Sequence, residues 1–171
     1  TSCTLGVSTS FWEMVMIAKA LRLVCVGRLK LPCWKEASDM YEKRLGRFRK
    51  LQITEVKDAS AASERERSRI EGERLLETVQ ARDLVVVLDE RGKDMSSLDL
   101  ANFLDRADAR GQGTTCFLVG GPFGHTDEVR KRADFLWRLS ALTLPHELAR
   151  VVLMEQLYRA ECLRNHVPYH H

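Results

Sequence analysis

Apolar segments rich in β-branched residues alternate with longer amphipathic stretches along this chain. Five apolar segments have the length and composition of β-strands: Leu21–Val26, Leu51–Val56, 84–88, Thr115–Val119 and 135–139. Strands that alternate with helices predict βαβ units around a mostly parallel sheet. We therefore expect an α/β fold with a mostly parallel sheet of five to six strands and flanking helices. Leu51–Val56 alternates apolar and polar side chains, which favours a position toward the sheet edge.

The segments between the strands carry helix signals. Predicted helices span 34–47, 64–79 and 97–110, followed by a short helix from Thr126 and a long one over 145–165. Pro32 suits the start of the first helix, and Ser97 suits a position capping the third. Two acidic residues follow Thr126, where their charges complement the positive end of a helix. The strand over 84–88 is expected to close with a turn at Glu90-Arg91-Gly92.

The composition is typical of a single globular domain with a small net positive charge. The 171 residues are 44% hydrophobic and 30% charged, which fits one domain with a core. The net charge of +3 does not by itself indicate a nucleic-acid binder. However, residues 1–50 hold ten Lys and Arg against four acids, a surplus of +6. That surplus is consistent with a phosphate-facing surface, or equally with a solvated helix face.

The cysteines and the first twenty residues suggest a compartment. None of the five cysteines forms a C-x-x-C pair or metal-ligand spacing, so we expect a reducing compartment and no metal. No run reaches transmembrane length, and no membrane partner is expected. Residues 1–20 lack a basic start and make a poor secretory signal. We interpret 1–20 as an N-terminal extension before one domain over 21–171.

A glycine turn and a second loop mark the expected ligand site. The strand Thr115–Val119 runs into Gly120-Gly121-Pro122-Phe123-Gly124-His125, where glycine permits backbone N–H groups to approach a ligand closely. In an open parallel sheet, ligands bind beyond the carboxyl ends of the strands. Leu88, Gly120 and the loop 139–144 all follow predicted strands. The sequence therefore predicts a ligand site at that edge, although each leucine taken alone is more typical of core packing.

Several separated motifs occur in a characteristic order. They include Val24-Cys25-Val26-Gly27, Leu88-Asp89, Val119-Gly120-Gly121-Pro122, and Leu139-Ser140-Ala141-Leu142-Thr143-Leu144-Pro145-His146. They continue with Arg150-Val151-Val152-Leu153-Met154-Glu155-Gln156-Leu157-Tyr158-Arg159-Ala160 and Pro168-Tyr169-His170. From about residue 21 onward, the chain resembles the knotted SPOUT-class RNA methyltransferases, and more narrowly the ribosomal large-subunit methyltransferase H family.

This resemblance implies a fold and an activity. The fold would be the SPOUT fold with a C-terminal trefoil knot, an exception to the rule that chains do not thread loops. The activity would be S-adenosylmethionine-dependent methylation of N3 of a pseudouridine in 23S-type rRNA. The cofactor-binding positions carried over from the family are Leu88, Gly120, Gly121, Leu139, Ser140, Ala141, Leu142, Thr143 and Leu144.

The resemblance also assigns residues to the acceptor side. Transfer to N3 requires loss of its proton, which a general base or a cation near O2 and O4 would assist. The candidates are Glu155 and Arg159 on the last helix, and Tyr169 and His170 in the tail. His170 is the candidate base near neutral pH. Glu155 and Arg159 are spaced i, i+4, so a simple ion pair between them is an equal alternative.

His146 and Arg150 lie in the first turns of the last predicted helix. His146 is expected to anchor the loop before the last helix by hydrogen bonding. Arg150 is a candidate for contact with RNA phosphate or with a second subunit.

Phe123 differs from the residue found at this position in many bacterial members of the family, and together with His125 it looks more like plant and algal homologues. We therefore expect either a plastid or mitochondrion, or the bacterial cytoplasm.

The family assembles each active site at a twofold interface, so the resemblance implies a homodimer. Without a separate RNA-binding domain, recognition of large-subunit rRNA by shape within the assembled ribosome is favoured over binding of naked RNA. One alternative is a non-catalytic protein of the same fold that acts in ribosome assembly. Another is a SPOUT methyltransferase that acts on tRNA.

Overall fold

The computed structural model describes residues 19–169. The predicted extension therefore lies outside the described residues except for its last two positions, and so do His170 and His171. In chain order the elements are β1 (Leu21–Val26), α1 (Pro32–Leu45), β2 (Leu51–Val56), α2 (Glu64–Glu77), β3 (Leu84–Lys93), α3 (Ser97–Ala109), β4 (Thr115–Val119), α4 (Asp127–Arg132), β5 (Phe135–Trp137) and α5 (His146–Arg164). No helix within 19–169 is long and apolar enough to cross a membrane.

The strands form one five-stranded sheet in the order β2-β1-β4-β3-β5. Every pairing is parallel, and Leu21 of β1 is aligned with both Leu51 of β2 and Thr115 of β4. The predicted α/β fold is confirmed, and so is the edge position of β2. Because all strands are parallel, their carboxyl ends meet at one edge of the sheet. The trefoil knot implied by the resemblance stays a prediction.

The sheet buries both of its faces, as the apolar strands require. Leu23 and Phe117 lie on one face, where side chains of α1, α3 and α5 cover them. Val24 and Leu118 lie on the opposite face, against Leu75 and Val129 of α2 and α4. Successive side chains of β1 and β4 thus alternate between two cores. This double burial explains why these strands are apolar apart from Arg22 in β1 and Thr115 in β4.

The prediction of a turn at Glu90-Arg91-Gly92 is wrong. β3 continues to Lys93, with a register shift between Leu88 and Lys93 where it pairs with β5. The Arg138 N–H donates to the Lys93 carbonyl at 2.9 Å. A Cβ on Gly92 would lie 2.6 Å from backbone atoms of residues 136–138, so glycine is needed for this close approach. The glycine that suggested a turn instead permits strand packing.

Helix boundaries differ from the predicted ones by one or two residues at most ends. The cap of α3 is Ser96 and not Ser97, because Ser96 and Asp99 form a reciprocal capping box. Thr126 caps α4 as expected, with its hydroxyl oxygen accepting from the Val129 N–H. β5 ends at Trp137, two residues before the predicted boundary, where the chain leaves the sheet.

A buried ion network joins the segment between α1 and β2 to α3 and α5. The Arg49 guanidinium lies 2.5 Å from Asp108 and 2.7 Å from Glu161. Arg164 approaches the same two carboxylates at 2.7 and 2.8 Å. The Arg49 side chain has no exposed surface, so its charge depends on these partners for compensation. The network fixes how the helices on this face are packed together.

Candidate functional site

A cleft of about 890 Å³ lies at the carboxyl edge of the sheet. Three segments form most of its lining: the end of β3, the turn after β4, and the loop between β5 and α5. Its lining includes all nine positions carried over for the cofactor: Leu88, Gly120, Gly121, Leu139, Ser140, Ala141, Leu142, Thr143 and Leu144. The structure thus brings these positions together, and their role as cofactor contacts stays a prediction.

The turn after β4 has no room for side chains at its first two positions. A Cβ on Gly120 would lie 2.9 Å from Cε1 of His125. A Cβ on Gly121 would lie 2.7 Å from Oε2 of Glu71. Gly124 has a φ of +72°, in the left-handed region that glycine adopts without strain. The backbone of the turn is therefore exposed directly to the cleft between these flanking side chains.

His125 is the buried imidazole of the cleft. Burial lowers its pKa to about 4, although the nearby Asp89 carboxylate opposes that shift. The ring is therefore neutral at physiological pH. Asp89 is itself held by Arg130, whose Nε donates to Oδ2 at 2.8 Å, and by the Arg91 N–H at 2.9 Å. The cleft thus has a compensated carboxylate and a neutral imidazole side by side.

The loop over 139–144 forms the outer wall of the cleft. Leu139 packs against the core, whereas Leu142 is 76% exposed. The Leu142 N–H donates to the Ser140 hydroxyl at 2.9 Å, which closes a local turn. An exposed leucine on a short loop beside a cleft offers apolar surface to a ligand or to another protein chain.

A second cluster contains three of the four positions carried over for the acceptor side. The Arg159 guanidinium donates to Oε1 of Glu155 at 2.6 Å. It also lies 4.5 Å from the centre of the Tyr169 ring. Tyr169 meets Tyr158 edge-on at 4.9 Å. Burial together with a hydrogen bond to Tyr41 raises the pKa of Tyr169 to about 12, so its hydroxyl stays protonated. His170, the fourth position, lies outside the described residues.

The cleft and the second cluster lie far apart within one chain. His146 at the start of α5 lines the cleft, and neither Tyr158 nor Arg159 does. An α-helix rises 1.5 Å per residue, so Tyr158 lies about 18 Å along the axis from His146. The structure gathers the cofactor positions at one place and the acceptor positions at another. The ion pair weighed for Glu155 and Arg159 does form.

Arg150 has an internal partner in place of the expected external one. It is 5% exposed, and NH1 donates to Oε1 of Glu55 on β2 at 2.6 Å. This burial directs the guanidinium away from solvent and thus away from an RNA phosphate. Glu147, one turn earlier, accepts from the Lys30 N–H at 3.0 Å. Both contacts tie the start of α5 to the carboxyl edge of the sheet.

The sequence interpretation missed two residues beside the glycine turn, His125 and Glu71. His125 was visible only as part of a motif, and Glu71 as one acid in a highly charged helix. Both are buried, and their burial depends on how α2 and the turn pack. Within 19–169, no group of three or more His, Cys, Asp or Glu is arranged to hold a metal ion.

Comparison with known proteins finds relatives that are all named methyltransferases. The model of a family described as predicted SPOUT methyltransferase matches residues 20–170. A protein of Desulfovibrio desulfuricans named ribosomal RNA large subunit methyltransferase H is 50% identical over 91% of this chain and 100% of its own. A protein of the same name from Deinococcus deserti is 44% identical over 88% of this chain and 98% of its own.

A solved structure is similar in fold. It is a probable methyltransferase from Bordetella pertussis Tohama I, with a TM-score of 0.51 and 15% identity. The similarity covers 85% of this chain and 98% of the other. The resemblance suggested by the motifs is thus confirmed over nearly the whole described chain. With its parallel sheet and its cleft at the carboxyl edge, the chain belongs to the SPOUT methyltransferase family.

Proposed function

We propose that this enzyme transfers the methyl group of S-adenosylmethionine to N3 of a pseudouridine in 23S-type large-subunit rRNA. The observation that carries the proposal is the convergence of three separate segments, β3, the glycine turn and the 139–144 loop, on one cleft. The relatives' printed name, ribosomal RNA large subunit methyltransferase H, supports an rRNA substrate. The position and the nucleotide are those that the family resemblance implies.

The cleft fits such a cofactor. Apolar side chains such as Leu88 and Leu144 suit the faces of an adenine ring, and the adjoining backbone amides and carbonyls suit its edges. Gly120 and Gly121 leave room for close approach. When bound, the cofactor supplies an electrophilic methyl group on a sulfonium, so the protein's task is to bind, orient and exclude water.

The second cluster suits the acceptor base. Arg159 carries a fixed positive charge that would stabilise the negative charge developing on O2 and O4 as N3 loses its proton. Glu155 holds the guanidinium in place through the 2.6 Å hydrogen bond. The Tyr169 ring supplies an aromatic surface beside that charge. His170 is proposed as the group that accepts the proton from N3.

A homodimer would join the two halves of the site. The separation of about 18 Å along α5 prevents one chain from using both clusters on one nucleotide. A second copy arranged about a twofold axis would supply its tail to the cleft of the first. This arrangement makes residues 21–171 one catalytic domain whose active site needs a partner. Residues 1–20 are proposed to be an extension outside that domain.

The substrate is proposed to be rRNA within the assembled ribosome, recognised by shape. No membrane partner and no metal ion enter the proposal. The proposed compartment is reducing, either the bacterial cytoplasm or an organelle with a bacterial-type ribosome, and the relatives named above are bacterial.

Two alternative functions predict different results. A non-catalytic ribosome-assembly protein of this fold would bind cofactor weakly or not at all. A tRNA methyltransferase would modify tRNA in place of ribosomes.

The test is methyl transfer from labelled S-adenosylmethionine to ribosomes that lack the modification. Naked rRNA and bulk tRNA serve as parallel substrates, and the labelled nucleotide is mapped. Label on a large-subunit pseudouridine, with assembled ribosomes preferred, is the expected result. Label on tRNA alone would contradict the proposal, as would cofactor binding without transfer to any ribosomal RNA.

A further inference from the structure

We propose that Glu71 provides the negative charge by which the cleft recognises the cationic part of its cofactor. The inference rests on the proposed use of S-adenosylmethionine, whose amino-acid end carries a sulfonium and an ammonium. Glu71 is on α2, behind the glycine turn, and is not one of the positions carried over from the family. Its carboxylate lies against Gly121, which also lines the cleft.

The Glu71 carboxylate is buried and half satisfied. Its residue is 2% exposed, and Oε1 accepts from the Ala59 N–H at 3.0 Å. Oε2 has no hydrogen-bond partner among residues 19–169, and Glu71 forms no ion pair within that range. A buried carboxylate without an opposite charge is costly, because burial removes water from the charged form. Its charge therefore favours the arrival of a cation nearby.

The neighbouring cations on α2 are directed elsewhere. Arg67 donates through Nε to the Ala61 carbonyl at 2.7 Å and lies over the Phe123 ring. Arg74 donates to the Lys57 carbonyl at 2.8 Å. Each guanidinium thus has a backbone oxygen as its hydrogen-bond partner in place of the Glu71 carboxylate. The unpartnered oxygen is left facing the turn.

The glycine turn brings the carboxylate close to the cleft. Oε2 lies 2.7 Å from the point that a Cβ on Gly121 would occupy. Gly121 also lines the cleft, so this charge lies next to a residue that borders the ligand site. For a buried charge such as Glu71, the electrostatic attraction to an opposite charge is stronger than in water. Glycine at this position is what permits the approach.

Glu71→Gln removes the charge while keeping an oxygen acceptor for the Ala59 N–H, so the fold should be retained. Calorimetry would measure the affinity of the variant and wild type for three probes. S-adenosylmethionine has a sulfonium and an ammonium, S-adenosylhomocysteine has only the ammonium, and 5′-methylthioadenosine has neither. Glu77→Gln is the matched control, because Glu77 lies on the same helix but is exposed and does not line the cleft.

We expect Glu71→Gln to weaken S-adenosylmethionine binding by about tenfold relative to its effect on 5′-methylthioadenosine. A matching loss for S-adenosylhomocysteine would identify the ammonium as the recognised group, and its absence would identify the sulfonium. Glu77→Gln should leave all three affinities unchanged. Equal loss for the three probes, or no loss, would overturn the inference.

A second variant, Glu71→Asp, controls for misfolding of Glu71→Gln. Glu71→Asp keeps the charge and should keep most of the preference for the cationic probes. Loss of that preference in Glu71→Asp with the fold intact, as judged by circular dichroism, would overturn the inference. If wild type binds none of the three probes, the proposed cofactor fails together with the inference. If wild type binds the probes but Glu71→Gln does not change the ratio of their affinities, the inference alone fails.

Discussion

The Arg159 guanidinium lies 4.5 Å from the centre of the Tyr169 ring, which docks the end of the described chain onto α5. An unanchored terminus would be expected to fray. Here a cation–π contact and an edge-on contact with Tyr158 hold it in place. The tail is thus a preformed aromatic and cationic surface, which is the kind of surface on which an unstacked RNA base is received.

Replacing the Tyr169 ring should affect the acceptor and not the cofactor. Tyr169→Ala is expected to lower methyl transfer to ribosomes by about tenfold or more, since base–aromatic stacking contributes about 1 to 3 kcal/mol. S-adenosylmethionine affinity should not change, because the cleft is distant. Tyr169→Phe, which keeps the ring, is the control and should retain most activity. A loss of cofactor affinity in Tyr169→Ala would contradict the separation of the two clusters.

A single methyl group at Gly120 should impair cofactor binding. Its Cβ would meet His125 at 2.9 Å, so the imidazole or the turn must shift. Gly120→Ala is therefore expected to weaken S-adenosylmethionine binding by about tenfold, as measured by calorimetry. Gly111→Ala is the matched control, because nothing lies within 4 Å of the added atom. Equal affinity in the two variants would place the cofactor elsewhere.

Mixed dimers would test whether two copies share a site. One protomer carries Gly120→Arg in the cleft, and the other carries Tyr169→Ala in the tail. Each homodimer should keep at most about a tenth of wild-type activity, whereas a heterodimer contains one intact cleft facing one intact tail. Random mixing should restore about a quarter of wild-type methyl transfer, since half of the dimers have one working site. If mixing restores no activity, the shared-site arrangement is incorrect.

The buried ion network should dominate stability on its face of the sheet. Arg49→Ala removes the fully buried partner of the Asp108 and Glu161 carboxylates and leaves only Arg164 against them. We expect a loss of about 3 to 5 kcal/mol of unfolding free energy. Urea denaturation monitored by circular dichroism measures it. Arg69→Ala removes an exposed arginine that pairs with Glu66 and Glu73, and it should barely move the urea midpoint. Similar midpoints for both variants would contradict the prediction.

The burial of His125 should make stability depend on pH. Its pKa falls from 6.5 to about 4 on folding, so below pH 6.5 the unfolded chain binds a proton that the folded chain does not. Unfolding free energy should therefore fall by about 3 kcal/mol as pH drops from 6.5 to 4, and this contribution should level off below 4. His125→Leu should lack this part of the slope. Denaturation at several pH values compares the two, and identical slopes would show that His125 titrates normally.

Much of the fold follows from local sequence. β1, β2 and β4 were predicted with the boundaries that the structure has, because apolar β-branched runs bounded by glycine and polar residues are unambiguous. The end of β3 was not, since Gly92 resembles a turn residue. Only its 2.6 Å approach to the backbone of 136–138 reveals a packing role. Such long-range contacts leave no periodic signal in the sequence.

In the candidate site, too, some features could be predicted from the sequence and others could not. The motifs named the cleft residues, and the rule that parallel strands share one carboxyl edge predicted that Leu88, Gly120 and the 139–144 loop would converge. Burial of Glu71 and His125 against the glycine turn could not be predicted, because an acid on a charged helix and a histidine in a loop are typical of solvated surface.

By itself, the sequence determined the parallel α/β architecture, the methyltransferase family and the identity of the cleft residues, because these depend on local patterns and motifs. Tertiary structure alone decided that Arg150 pairs internally with Glu55 and that Tyr169 lies on Arg159. It also decided that the cleft and the tail cluster lie at different positions along α5. The physical reason is that burial and charge pairing depend on which helices meet, and residues distant in sequence determine that together.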